Sequence, residues 1–142
     1  MNANLNMDPM QQRCDAVLGV LSKHVELTEV EKNHGLGPQR VLVEVYRVVD
    51  QVMSARSAVT SALLNGDYEY AGWHFLRFYK SCERLSMPVL SQYFWDCALA
   101  CREQNKQIAN ISWREAQRCV GNISLQLGYG VLPADVQTMA AA

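Results

Sequence analysis

The chain of 142 residues has the usual size of one domain and can bury a sizeable core without disulfides. Its 49% hydrophobic and 19% charged residues, with only four prolines, exclude a disordered polymer. A formal charge of −1, thirteen basic against fourteen acidic side chains, excludes a polybasic nucleic-acid coat or membrane-surface binder.

The opening MNANLNMDPMQQ has neither a basic n-region nor a continuous apolar run, so it does not read as a secretory signal and the cytoplasm is the expected location. Residues 1–7 are read as a peripheral end. Asp8-Pro9 then marks a helix start, the acid capping free amides and the proline preset for the first helical position. Met10, Cys14, Val17, Leu18, Leu21 and Val25 follow at spacings of three and four, the stripe of an amphipathic helix. Thr28 and Glu31 suit a capping box for a short turn, and Gly35 with Gly37 opens the next loop.

Pro38 starts a second helix that meets no glycine or proline before Gly66. Val41, Val45, Val48, Val52, Ala55, Val59 and Ala62 form a heptad seam along it. The β-branched run VLVEVYRVV also suits a strand, but its length and the continuing three-four spacing favour helix. Gly66 ends it and Asp67 caps the third, whose stripe is Tyr68, Ala71, Phe75, Phe78, Cys82 and Leu85. Pro88 breaks that helix, with Ser86 as cap of the fourth. The fourth stripe continues Leu90, Phe94, Cys97, Cys101, Gln104, Ile108 and Ile111. A capping box at Ser112 and Glu115, with Ile111 and Ala116 as staple, opens a fifth helix through Val120, Ile123 and Leu127 to Gly128. Residues 129–142 read as a second peripheral end. The expected fold is a single all-α bundle of about five mostly antiparallel helices, one of them long and heptad-patterned.

No catalytic, cofactor or metal motif stands out. Cys97 and Cys101 lie 40° apart on one helix face and could share a metal, yet no CxxC or HxxxH supplies the remaining ligands, and Cys82, Cys119 and His74 would have to converge in space. Both fit the apolar stripe as reduced core residues, and the odd total of five cysteines agrees with a reducing compartment. A Cys82–His74 nucleophile pair has no motif behind it, and GLG at 35–37 lacks a preceding strand and the rest of a phosphate-binding fingerprint. The chain is therefore read as non-enzymatic, without cofactor or metal.

Two features point to binding. The segment DYEYAGWHFLRFYKSCERL carries apolar residues on nearly every face, more than one helix of a small bundle buries internally. Excess Tyr, Trp and Arg is what protein interfaces collect. Tyr70, Trp73, Arg77 and Tyr79, with Tyr93 and Trp95 leaving the next helix's stripe, are the candidate interface, for another protein, for a second copy, or both. The alternative is a helix-turn-helix-like DNA reader whose recognition helix starts at Ser112 and presents Trp113, Arg114, Gln117 and Arg118. Charge is uneven: residues 1–69 hold six basic and nine acidic groups, and residues 77–118 hold seven and four, so −3 faces +3.

Overall fold

In the computed structural model of the chain, residues 9–22 and 24–129 are described. The expectations for 1–7 and 130–142, and the Asp8 cap, lie outside these residues. Six helices and no strand occur among the described residues: α1 (Pro9–Leu21), α2 (Leu27–His34), α3 (Pro38–Leu64), α4 (Tyr68–Arg84), α5 (Pro88–Arg102) and α6 (Lys106–Tyr129). The fold is all-α, with one helix more than the sequence pattern gave. The additional one is α2, where the Thr28 segment forms two helical turns from Leu27, with Glu26 in place of a side-chain cap. Gly35, left-handed at φ 63°, closes it by donating its amide to the Glu31 carbonyl.

Three turns of one construction set the layout. At α3/α4, α4/α5 and α5/α6, one residue enters the left-handed region: Gly66 (φ 72°), Ser86 (φ 50°) and Gln104 (φ 54°). The amide of the following residue then reaches back to a carbonyl of the outgoing helix: Asp67 to Ala62 at 2.8 Å, Met87 to Cys82 at 3.0 Å and Asn105 to Ala100 at 2.8 Å. This satisfies carbonyls that a helix end leaves open, and the next helix begins at once. Asp67 caps α4 as expected, accepting from the Tyr70 amide at 3.2 Å. Ser86, expected as a cap, is instead the left-handed residue of its turn, and Met87 stands at the cap position without a side-chain bond.

The boundary at 111/112 is not there. The chain turns at 103–105, Asn105 accepts from the Ile108 amide at 3.1 Å, and Ser112 lies buried within α6. Glu-Gln-Asn carries no glycine or proline, so only the left-handed Gln104 breaks the pattern. The expected stripe through Gln104, Ile108 and Ile111 is cut there, and both isoleucines are exposed.

Helices α3, α4, α5 and α6 pack in a closed ring, each against its two neighbours, and α1 lies over α3 and α6. Short turns make ring neighbours antiparallel. In the N-terminal half of α3, Val41, Leu42, Val43, Val45, Val48 and Val49 are all buried, more than the heptad seam alone. Glu44, drawn into that half, is held by Arg40 at 2.9 Å and Arg47 at 3.1 Å. Further along, α3 exposes Ser54, Arg56, Ser57, Ala58, Thr60 and Ser61. An aromatic cluster fills the other end of the core: Phe78 stands 5.1 Å from Phe94 and 6.5 Å from Trp113, with Phe75 5.4 Å from Trp113. Each such ring contributes about 1.5–3 kcal/mol by leaving water. No described helix is long and apolar enough to cross a membrane.

Candidate functional site

Helix α4 has a core edge of Ala71, Phe75, Phe78 and Cys82, all buried. Turning 100° per residue, the opposite ridge must carry Trp73, Arg77 and Lys80, with Tyr70 on the flank toward α3 and Leu76 on the flank toward α5. Trp73 is 55% exposed, and the Arg77 guanidinium lies 4.7 Å above its ring, a cation–π contact. Tyr70 is also exposed. Gly72 faces α5, where a Cβ would meet the Cys101 Cβ at 3.4 Å, in ordinary van der Waals contact.

That close approach brings the outward ridge of α5 alongside. Tyr79, half-buried, packs its ring 5.1 Å from Trp95, itself 44% exposed. Leu76 and Leu99 are exposed on the same side of the two helices. Of the six expected interface residues, Tyr70 lines the α3/α4 groove and Tyr79, about 180° from it around α4, is half-buried in the seam with α5, while Trp73, Arg77 and Trp95 share one outward surface. Tyr93 does not: two residues before Trp95 it lies about 200° around the helix, half-buried against the core. Leu76 and Leu99 are additions, and Leu99 was legible as one turn beyond Trp95.

His74 lies behind this surface, at a position that the apolar spacing does not mark. It is 8% exposed, and among the described residues neither ring nitrogen meets a hydrogen-bond partner in the protein. Tyr70 and Trp73 stand edge-on to it at 4.8 and 4.9 Å, and Phe78 lies at 5.8 Å. It lines an open groove between α3 and α4 with Asp50, Gln51, Ser54, Ala55, Ala58, Tyr70 and Arg77. Burial pulls its pKa below the ordinary 6.5, and the positive charge of Arg77 pulls the same way. No periodicity rule marks an imidazole that borders the core from a groove.

The four cysteines whose side chains are described, Cys82, Cys97, Cys101 and Cys119, form two pairs instead of one cluster. Cys97 and Cys101 are buried on α5, and burial raises both thiols, Cys101 to about 11. Burial also raises Cys82 well above the ordinary thiol range, with neighbouring Cys119 adding to the effect. Such thiols are neutral at physiological pH and behave as small apolar groups. Among the described residues no three His, Cys, Asp or Glu side chains come together to hold a metal ion. His74 and Cys82, eight residues apart on α4, are separated by about 12 Å along the axis, too far for a direct hydrogen bond.

The residues of the DNA-reading alternative are divided. Trp113 is buried, packed on Phe75 and Phe78, with its indole N–H donating to the Thr60 hydroxyl at 3.0 Å. It is a core residue that ties α6 to α3, and it does not reach a base edge. Arg114 and Arg118 are exposed mid-helix, Arg118 lying 3.7 Å from Glu115, and half-buried Gln117 lines the α3/α6 groove. They do not open a helix, because α6 begins at Lys106. No family model matches the chain, and no curated protein or solved structure does so significantly.

Proposed function

We propose that the chain is a non-catalytic cytoplasmic helical module for protein interaction or assembly, adaptor, inhibitor or chaperone-like, binding another protein and itself through the aromatic face of α4 and α5. The observation that carries this reading is an asymmetry of the ring. Helix α1 covers the α3/α6 side, while the α4/α5 seam leaves Trp73, Leu76, Trp95 and Leu99 in water. At 55% and 44% exposure, the two indoles alone present about 250 Å² of apolar surface, taking about 250 Å² per Trp side chain. With the leucines the patch reaches the few hundred Å² of the largest apolar patch on a typical monomer, a place that is often functional. Tyr79 holds Trp95 and Arg77 holds Trp73, so both anchors are ordered before a partner arrives, which lowers the entropy cost of binding.

Sedimentation equilibrium of the wild type and of a Trp73→Ser/Trp95→Ser double variant tests the reading. A self-associated mass that falls to monomer in the variant, with unchanged helicity, supports it. A monomeric wild type that captures no protein refutes it. A salt-sensitive shift of duplex DNA lost in Arg114→Ala/Arg118→Ala would transfer the assignment to a DNA-binding regulator.

A further inference from the structure

The imidazole of His74 lies directly behind two of the aromatics that the proposed face presents, Tyr70 at 4.8 Å and Trp73 at 4.9 Å. We propose that His74 is a proton-operated latch of this face: neutral, it supports Tyr70 and Trp73 in the presenting arrangement, and protonated, it releases them, so that binding weakens in acid. The proposal rests on the protein-interaction reading of the same residues and adds its regulation.

Three observations carry it. Buried polar groups are ordinarily hydrogen-bonded, and among the described residues neither ring nitrogen finds a protein partner. The neutral ring tolerates this by packing as an aromatic; an imidazolium has two N–H donors and a charge, and its burial would be far costlier. The charges around it are also unevenly placed. From α4 the Arg77 guanidinium repels a second cation, and Tyr70 adds only a neutral phenol. From α3 the groove contributes one carboxylate, Asp50, beside the neutral Gln51 and Ser54. The described ring contacts toward α5 and α6 run through Phe78, which meets Phe94 and Trp113 and offers no acceptor.

Proton uptake therefore draws the ring outward toward Asp50 and water, and removes the surface on which Tyr70 and Trp73 rest. Burial and Arg77 hold the pKa below 6.5, so the supported state is complete above that value and is lost as the pH falls through the lowered one. This sign follows from linkage, since below 6.5 the unfolded or opened chain binds a proton that the closed face refuses.

The test follows the three indole N–H resonances of the full chain by two-dimensional NMR from pH 8 to pH 5. The Trp73 resonance is expected to move along a one-proton curve while Trp95 and Trp113 stay in place. In His74→Phe the movement disappears, and in Asp50→Asn, which leaves the core untouched, its midpoint falls further. A Trp73 resonance that does not titrate, or that titrates alike in His74→Phe or with an unchanged midpoint in Asp50→Asn, overturns the latch. Sedimentation at pH 7.5 and pH 5.5 gives the consequence for association: at least about fivefold weaker in acid for the wild type, pH-independent for His74→Phe. Equal association of the wild type at the two pH values overturns the regulation. A wild type monomeric at both removes the self-association reading, and the Trp73 titration still decides the latch.

Discussion

Thr60→Val is a surface substitution expected to act like a core one. Thr60 lies on the exposed side of α3, where replacements ordinarily change stability by less than about 0.5 kcal/mol. Its hydroxyl, however, accepts the indole N–H of Trp113, a side chain only 3% exposed, at 3.0 Å. Valine keeps the shape and removes the acceptor, leaving that N–H without a partner at the edge of the aromatic cluster, at a cost of about 1–2 kcal/mol. The reverse change is less costly for this bond, because in Trp113→Phe the Thr60 hydroxyl is free to bond water; the smaller ring then costs about 1–2 kcal/mol through lost packing on Phe75 and Phe78. Urea unfolding at 25 °C followed by circular dichroism reads both. With a slope of about 2 kcal/mol per molar urea, the Thr60→Val midpoint should fall by about 0.5–1 M. In the Trp113→Phe background Thr60→Val should cost almost nothing, giving a coupling of about 1–2 kcal/mol. Equal costs in the two backgrounds, or a Thr60→Val midpoint matching that of the neighbouring exposed Ser57→Ala, would refute this account of what ties α6 to α3.

Further expectations concern the turns and the thiols. Asn105→Ala removes the cap of α6 and should cost about 1 kcal/mol, whereas Ser112→Ala, inside the helix, should stay within about 0.5 kcal/mol; the reverse order in urea midpoints would restore a boundary at 112. Gln104→Gly relieves a left-handed side chain and should raise stability by about 0.5 kcal/mol, while Gly66→Ala in the equivalent turn should lower it by about 1 kcal/mol, both checked by thermal unfolding. Iodoacetamide at pH 8, with peptide mapping, should modify half-buried Cys119 before Cys82, Cys97 or Cys101. Early labelling of Cys97 would contradict its buried, proton-retaining thiol.

Much of this molecule was legible in the sequence because local rules operate independently of what packs where. Pro38, Gly66, Asp67 and Pro88 mark breaks through φ restriction and capping, and those breaks stand in the structure. Three-four spacing assigned Phe75, Phe78, Phe94, Cys97 and Cys101 to the core, and all five are buried. The α5/α6 turn was hidden because Gln104 adopts a left-handed φ without being glycine, in a local cap closed by the bond from the Asn105 amide to the Ala100 carbonyl that no glycine or proline announces. For the same reason a plausible capping box at Ser112 ended up inside α6, and Trp113 turned inward to Thr60.

Helix phase could place Trp73 and Trp95 outside their stripes, but a phase is measured against one helix axis and does not say which neighbour covers it. Among the described residues, the ring of α3 to α6, with α1 on one side, decided that the α4/α5 seam is left uncovered and that Tyr93 turns away from it. Packing likewise put His74 between a groove and two exposed aromatics, with no protein partner for either nitrogen among the described residues. Backbone preference and periodicity are properties of the chain, whereas exposure, pairing and proton affinity depend on which helices surround a side chain, and only the tertiary structure sets those neighbours.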